Sequence, residues 1–225
     1  MLSGIGDECA HRGVDLTSWT RGGGRARSGR PGLADRKGPR PPCLAARLEL
    51  RDLVFVAQGE PLDGTDAGTL RGRRLNRTRN KTFGFVFQQF FLTPNATVLE
   101  NVVLPLKIAG VGRAERKRRG LAALAELDMQ DKAKNKATAL SGGQKQRAVI
   151  ARALVNDPQV IFADEPTGNL DSQTGAVVED ILFRLNREHG ITLIVVTHDD
   201  DLAARCDRRI QIRDGVIVSE EGRAA

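Results

Sequence analysis

The stretch Val160-Ile161-Phe162-Ala163-Asp164-Glu165-Pro166 joins an apolar run of strand length to two adjacent carboxylates and a proline. Such a run is typical of a strand that is buried on both faces of a parallel sheet. Parallel sheets bind ligands at the carboxyl ends of their strands, where Asp164 and Glu165 fall. An aspartate there can bind a hydrated Mg²⁺, and a neighbouring glutamate can orient or deprotonate an attacking water. The stretch therefore favours a metal and catalytic site, although acidic turns also follow strands by chance.

Strand and helix patterns alternate around this stretch, which predicts an α/β fold with a parallel sheet covered by helices. The predicted strands are 53–56, 82–87, 160–163, 192–196, 210–213 and 216–219, the last two joined by a hairpin turn at Asp214-Gly215. The predicted helices are 114–127, 142–155, 175–188 and 199–205. In the second helix, the spacing of Val149, Ile150, Ala153 and Leu154 predicts a buried stripe.

The segment Leu140-Ser141-Gly142-Gly143-Gln144 opens that second helix. Ser141 and Gln144 have the spacing of a capping box, so one interpretation is a well-capped helix. Each glycine, however, costs about 1 kcal/mol of helix stability relative to alanine, and both leave backbone N–H groups open at the positive end of the helix. A phosphate-binding turn accounts for the glycines better than capping alone, with the Ser141 hydroxyl as a further donor.

Two more polar side chains follow predicted strands and so fall at the same sheet edge. His198 comes after strand 192–196, from where it can reach a phosphate, although a lone histidine at a strand end is more often structural. Gln88 comes after strand 82–87, and its amide can reach a metal or a water. Gln88 and Gln89 can equally form a surface turn.

Composition separates the first residues from the rest of the chain. The 225 residues carry 35 Lys and Arg against 28 Asp and Glu, a net charge of +7, and 40% are hydrophobic, which excludes a membrane protein and a disordered chain as a whole. Residues 1–47 hold nine basic and four acidic residues, so +5 of the +7 lies there, together with nine Gly and four Pro. We predict a disordered basic tail over 1–50 and a folded domain over 51–225.

The start of the sequence and the cysteines bear on the compartment. No membrane span or signal peptide is recognisable, so we expect no export. Cys9, Cys43 and Cys206 lie far apart and lack metal-binding spacing, which suits a reducing compartment and gives them no role.

Four motifs, in this order along the chain, closely resemble those of the ATP-binding subunits of ABC transporters. They are Phe87-Gln88-Gln89-Phe90, Leu140-Ser141-Gly142-Gly143-Gln144, Val160 through Pro166, and Thr197-His198-Asp199. The resemblance, which covers about residues 52–221, implies that the cofactors are ATP and Mg²⁺. It implies that Gln88 is the Q-loop glutamine, which can also contact Mg²⁺, and that Ser141, Gly142, Gly143 and Gln144 are the signature motif. Asp164 would be the Walker B aspartate that binds Mg²⁺, Glu165 the catalytic base, Asp171 the D-loop aspartate and His198 the switch histidine.

Within that family, the segments 85–90, 101–106 and 166–172 resemble the lipoprotein-release and macrolide-export branch. The resemblance implies a peripheral subunit at the cytoplasmic face of the plasma membrane that couples ATP hydrolysis to transport. Two such subunits, identical or paired, would dimerise head to tail, so that each signature motif acts on the ATP of the other. Residues 92–136 would form the helical subdomain that meets the transmembrane subunit. We interpret the basic runs 71–81 and 113–119 as solvated helix faces, and so expect no nucleic-acid partner.

One family feature is missing from the sequence, the phosphate-binding loop G-x-x-x-x-G-K-[ST]. The nearest match, Gly24 through Pro31, has Arg30 for the lysine and a proline for the hydroxyl residue. Losing even three of the charge-assisted hydrogen bonds that this loop makes to ATP removes at least about 4.5 kcal/mol of binding free energy. The affinity for ATP then falls by more than about a thousandfold. We also expect the sheet to lack the central strand that carries this loop.

Two hypotheses explain the missing loop: a wrongly framed or truncated start joined to a genuine family domain, or a nucleotide-blind variant. The alternative function is therefore a non-catalytic regulatory or truncated subunit. Such a subunit would act only through partner docking or through its signature motif.

Overall fold

The computed structural model describes residues 43–46, 61–62, 65–66, 71–213 and 216–222. The predicted strand 53–56 and the predicted turn at Asp214-Gly215 lie outside these ranges. The strands are β1 (Cys43–Ala46), β2 (Pro61–Leu62), β3 (Thr65–Asp66), β4 (Phe83–Phe87), β5 (Val160–Asp164), β6 (Thr192–Val196), β7 (Arg208–Arg213) and β8 (Val216–Gly222). The α-helices are α1 (Gly72–Thr82), α2 (Val98–Val102), α3 (Leu104–Ile108), α4 (Arg113–Ala125), α5 (Gly142–Leu154), α6 (Ser172–His189) and α7 (Asp200–Ala204).

Six strands form one sheet in the order β4-β5-β6-β1-β7-β8, and β2 and β3 form a separate pair. The first five strands run parallel, and β8 pairs antiparallel with β7 at the edge. The α/β fold with a parallel sheet is therefore confirmed. The register aligns Phe87 with Asp164, Asp164 with Val196, and Val196 with Ala46, so these four strands end at one common edge.

The sheet is not left without a central strand, because β1 occupies that position, although no G-x-x-x-x-G-K-[ST] loop follows it in the sequence. β1 lies between β6 and β7 and pairs in parallel with both, although it falls within the predicted tail. Its four residues, Cys-Leu-Ala-Ala, are small or apolar and fit a strand flanked on both sides, and their backbone groups complete the ladders of β6 and β7. The segment of 1–50 predicted as a disordered tail thus contributes four residues to the core sheet.

Helix α5 packs against the sheet with the predicted stripe: Val149, Ile150, Ala153 and Leu154 are all buried. Helix α6 begins at Ser172, three residues before the predicted start. The reason is that Asp171 caps it by accepting a hydrogen bond from the Thr174 N–H at 2.9 Å. It ends at Gly190, whose left-handed backbone (φ 66°) suits glycine. A second apolar cluster consists of Phe162, Ile194 and Ile210. Aromatic rings of β4 pack against it, and the ring of Phe85 stacks on that of Phe162 with their centroids 5.5 Å apart.

Within residues 92–136 the chain forms α2, α3, α4 and a short 3₁₀ turn at Gln130–Lys132. The basic run 71–81 falls on α1, which buries no residue. The run 113–119 falls on α4 but is not wholly solvated, because Arg119 donates to the Val155 carbonyl and Arg116 to the Val111 carbonyl. Across the described ranges, no helix is both long and apolar enough to cross a membrane.

Candidate functional site

Gln88, Glu165 and His198 follow β4, β5 and β6 at the common edge of the sheet. Neighbouring parallel strands end side by side there, which is where the sequence placed these residues. Asp164 is the last residue of β5. The edge therefore brings a carboxylate pair, an amide and an imidazole into one region.

Glu165 and His198 are in direct contact. The His198 backbone N–H donates to Glu165 Oε1 at 2.8 Å, and His198 Nδ1 lies 2.6 Å from the same oxygen. The other carboxylate oxygen, Oε2, accepts from the Thr197 hydroxyl at 3.3 Å. The side chain of His198 is 72% exposed and that of Glu165 is 21% exposed. The carboxylate is thus fixed by the 197–198 segment, while the imidazole faces solvent.

The backbone of Glu165 has φ +43°, in the left-handed region that costs non-glycine residues energy. Its N–H donates to the Val196 carbonyl at 2.8 Å, and its carbonyl accepts from the Gly168 N–H at 3.1 Å. These bonds turn the chain sharply at the end of β5. The turn takes Glu165 out of line with β5 and leads the chain toward α6.

Asp164 carries an electrostatic penalty. Burial raises the pKa of Asp164 above its ordinary value, and the neighbouring Glu165 carboxylate raises it further. A bound divalent cation would remove this penalty, because it neutralises both carboxylates and accepts oxygen ligands. The donor set at this edge therefore fits a hydrated Mg²⁺ with Asp164 as its protein ligand.

Gln88 contacts the segment that follows the carboxylate pair. A Cβ placed on Gly168 would lie 2.7 Å from Gln88 Nε2, so glycine allows the Gln88 side chain to lie against the backbone here. Asn169 Nδ2 also donates to the Gln88 carbonyl at 2.9 Å. Gln88 therefore contacts the loop between Glu165 and α6 through both its side chain and its carbonyl.

The capping box predicted at the start of α5 is present. The Gln144 N–H donates to Ser141 Oγ at 3.3 Å, and the Ser141 N–H donates to Gln144 Oε1 at 3.1 Å. The two glycines differ: a Cβ on Gly143 would lie 2.4 Å from Thr174 Cγ2, whereas one on Gly142 would make ordinary contact with Leu170. Packing against α6 thus accounts for Gly143, and only Gly142 is left to be explained by an open backbone.

The predicted residues form two clusters. Gln88, Asp164, Glu165 and His198 lie at the sheet edge, and Ser141, Gly142, Gly143 and Gln144 lie at the start of α5. Asp171 belongs with the second cluster, because it caps α6 by accepting a hydrogen bond from the Thr174 N–H. The hydrogen bonds from Thr174 lower the pKa of Asp171.

Gln146 connects the two clusters and was missed by the sequence analysis. Its side chain is completely buried, and Nε2 donates to the Pro166 carbonyl at 2.7 Å, directly after Glu165. Gln146 Oε1 has no hydrogen-bond partner among the described residues. One signal was available: Gln146 lies three, four and seven residues before Val149, Ile150 and Ala153, so it is a polar residue on a buried stripe.

A cavity of about 400 Å³ lies beside β4, between α1, α3 and α5. We call it the β4–α3 groove. Its walls are largely apolar, and three of the wall residues are strongly exposed: Phe91 (64%), Leu104 (43%) and Ile108 (68%). Phe87, which immediately precedes Gln88, also lines it. The groove therefore adjoins the residue that contacts the loop after Glu165.

Comparison with known proteins agrees with this geometry. The ABC transporter family model matches residues 55–168. The lipoprotein-releasing system ATP-binding protein LolD of Syntrophus aciditrophicus is 47% identical over 171 residues, 76% of this chain and 77% of that protein. The macrolide export ATP-binding/permease protein MacB of Brucella melitensis is 48% identical over 159 residues, 71% of this chain and 24% of that protein.

Among solved structures, the dimeric post-hydrolysis state of the ATP-binding cassette MJ0796 bound to ADP and Pi is similar. It has a TM-score of 0.69 and 36% identity over 81% of this chain and 85% of that one. The motifs, the sheet edge and these likenesses agree. This chain belongs to the ATP-binding subunits of ABC transporters, in the lipoprotein-release and macrolide-export branch.

Proposed function

We propose that this chain works as the ATP-hydrolysing subunit of a membrane transporter, with Glu165 as the general base and His198 as a phosphate contact. The observation that carries this proposal is the pair of contacts between Glu165 Oε1 and His198 at 2.8 and 2.6 Å. They fix one carboxylate oxygen and leave the imidazole exposed. A carboxylate oriented in this way can accept a proton from an attacking water.

Asp164 and Gln88 are the proposed metal contacts. Mg²⁺ would supply neutralisation of the charge that develops on the transferred phosphoryl group. The raised pKa of Asp164 supports this assignment, because a bound cation stabilises two carboxylates most where they repel each other. Glu165 is then left to interact with water.

The start of α5 is the proposed phosphate contact of a second subunit. Gly142 places no side chain beside the backbone N–H groups at the N-terminus of α5, and the adjacent Ser141 is exposed. In a head-to-tail dimer Ser141, Gly142, Gly143 and Gln144 would face the nucleotide of the partner, with Asp171 close by. Gln146 then links this contact to Pro166 and so to the catalytic turn.

The β4–α3 groove is the proposed docking site of the transmembrane subunit. It combines exposed apolar side chains with a direct connection to Gln88, as coupling between a membrane partner and hydrolysis requires. A partner segment seated there would bury Phe91 and Ile108, which are now mostly exposed. The position of this chain at the cytoplasmic face of a membrane follows from that docking.

A second function is supported by the missing phosphate-binding loop. Without that loop this chain would dock on the transmembrane subunit and donate Ser141 through Gln144 to a second subunit that has one. Glu165 and His198 would then have no nucleotide of their own to act on. This reading predicts that the isolated chain folds and does not bind ATP.

Titration calorimetry of the full chain with Mg-ATP, up to millimolar concentration, separates the two. Hydrolytic function predicts saturable binding, dimer formation with ATP, and a Glu165→Gln variant that binds ATP but releases phosphate at least about 100-fold more slowly. Glu221→Gln on β8 is the matched control and should behave as the parent chain.

Absence of binding by folded protein would overturn the hydrolytic proposal. The chain should then be mixed with an ATP-binding subunit that has an intact phosphate loop. Phosphate release that depends on Ser141 of this chain would establish the donor role, and release that ignores Ser141→Ala would exclude it.

A further inference from the structure

Two of the three cysteines, 163 residues apart, meet in the core. Cys43 begins β1 and Cys206 follows α7, and their Sγ atoms lie 2.8 Å apart. Neither cysteine forms a disulfide bond, and both are buried, with 2% and 6% of their surface exposed. A disulfide bond has a length of about 2.05 Å, so the two sulfurs need to approach by only about 0.8 Å to form one.

The backbones on both sides of this contact are already paired. The Asp207 N–H donates to the Cys43 carbonyl at 3.0 Å, and the Cys43 N–H donates to Asp207 Oδ2 at 2.9 Å. The Cys206 N–H donates to the Ala203 carbonyl at 3.1 Å. The two sulfurs are thus brought together by strand pairing and by the end of α7, with no rearrangement of the chain needed.

We propose that Cys43 and Cys206 are a redox modification site, which a small peroxide converts into a disulfide that fastens β1 to the start of β7. The thiolate of one cysteine attacks a peroxide oxygen of hydrogen peroxide and becomes a sulfenic acid, with release of one water after proton transfer. The second thiol attacks that sulfur, forms the S–S bond and releases the second water. Overall, two thiols and one hydrogen peroxide give one disulfide and two waters. Hydrogen peroxide is small and uncharged, as a buried site requires.

The cross-link acts on the strand that completes the sheet. β1 lies between β6 and β7, and its other end, Ala46, aligns with Val196 at the edge that carries His198. Fastening Cys43 to Cys206 fixes the register of β1 and closes a loop of more than 160 residues. Closing so long a loop restricts the unfolded chain, so we expect oxidation to raise Tm by on the order of 10 °C.

The test uses the reduced full chain, treated with one equivalent of hydrogen peroxide and digested with trypsin without reduction. The expected product is a disulfide-linked peptide pair, residues 38–47 joined to residues 206–208, together with a loss of two hydrogens from the intact mass. Dithiothreitol should reverse both the mass change and the shift in Tm.

The variant Cys9→Ser leaves the buried pair intact and should give the same linked peptides and the same rise in Tm. Cys206→Ala and Cys43→Ala should give neither. Because the Cys9→Ser result needs no core substitution, it decides the question even if the alanine variants fail to fold. Two free thiols at positions 43 and 206 after oxidation of folded protein, or linkage through Cys9 instead, would overturn the proposal. Neither readout uses ATP, so the outcome is independent of the proposed hydrolytic function.

Discussion

The backbone N–H of His198 donates to Glu165 Oε1 at 2.8 Å, so the Glu165 carboxylate is oriented by the main chain that follows β6 as well as by the imidazole. This contact separates two roles of His198. Its backbone N–H positions Glu165 whatever the side chain is. Its imidazole contacts Glu165 Oε1 through Nδ1 and, being 72% exposed, can also reach a ligand.

His198→Ala should therefore abolish hydrolysis without disturbing the turn. The backbone donor to Glu165 stays in place, whereas the imidazole is lost, which contacts Glu165 Oε1 through Nδ1 and is proposed to contact the phosphate. In a dimer that hydrolyses ATP, we expect phosphate release to fall about 100-fold or more with Tm changed by less than about 2 °C. His189→Ala is not a suitable control, because His189 bonds to Glu126. Asp201→Ala, which changes an exposed residue of α7, is a suitable control. A rate within threefold of the parent would remove His198 from the mechanism.

The sequence revealed most of this site because strand ends carry it. Glu165 and His198 each follow an unbroken apolar run, and parallel strands end at one edge, so their proximity could be predicted without coordinates. β1 could not be predicted, since Cys43–Ala46 is too short to show a period and lies among glycines and prolines. The Cys43–Cys206 contact was equally inaccessible, because only the pairing of β1 with β7 creates it.

Gln146→Met should destabilise the fold more than a surface change of the same size. Methionine has a similar shape but cannot donate to the buried Pro166 carbonyl, which now accepts at 2.7 Å. Leaving the buried Pro166 carbonyl unsatisfied costs about 1–3 kcal/mol, and removal of the unpaired Gln146 Oε1 offsets part of this cost. Urea unfolding measures the loss, with Gln173→Met on the exposed face of α6 as the control. A free energy of unfolding within about 0.5 kcal/mol of the parent would show that this hydrogen bond contributes nothing.

Asp164→Asn should stabilise the metal-free chain at neutral pH. The pKa of Asp164 is raised in the folded state, so the folded chain binds a proton more readily than the unfolded chain. The charged form therefore costs stability above the folded-state pKa. This cost shrinks as the pH falls through that pKa and is gone below the unfolded value of about 3.9. Asparagine resembles the protonated acid, so it avoids the cost.

Calorimetric scans from pH 7 down to pH 4 test this sign. We expect Asp164→Asn to unfold about 1–3 °C higher than the parent at pH 7, with the difference shrinking toward pH 4. Glu221→Gln, an exposed position on β8, is the control. A lower Tm for Asp164→Asn at pH 7 would contradict the raised pKa. Addition of Mg-ATP should favour the parent chain only, since the substitution removes the proposed metal ligand.

Ile108→Lys should weaken assembly with the transmembrane subunit while leaving the chain folded. Ile108 is 68% exposed on the wall of the β4–α3 groove, so a lysine there meets little of the core but opposes an apolar partner segment. We expect at least about a tenfold loss of affinity in pull-down or interferometry with the detergent-solubilised partner, at unchanged Tm. Val216→Lys is the matched control, because Val216 lies on β8 and is 63% exposed. Equal binding by both variants would place the interface elsewhere.

The two glycines at the start of α5, Gly142 and Gly143, should respond oppositely to alanine. A Cβ on Gly143 would lie 2.4 Å from Thr174 Cγ2, so either the Thr174 side chain must change rotamer or α5 must shift away from α6. Gly143→Ala should therefore cost about 1–3 kcal/mol of unfolding free energy, as overpacking does. Thr174→Ser removes the clashing methyl group and should restore most of that loss in the double variant. A Gly143→Ala chain as stable as the parent would mean that α5 and α6 can separate freely.

Gly142→Ala should keep the fold and damage the proposed contact between subunits. Its Cβ would make only an ordinary 3.4 Å contact with Leu170 Cδ2, and alanine favours a helix over glycine by about 1 kcal/mol, so Tm should stay equal or rise. The methyl group nevertheless covers the backbone N–H groups at the start of α5. We therefore expect weaker ATP-dependent dimerisation in light scattering and slower phosphate release from a chain that is no less stable. If Gly142→Ala dimerises and hydrolyses as the parent does, the start of α5 is a helix cap and not a phosphate contact.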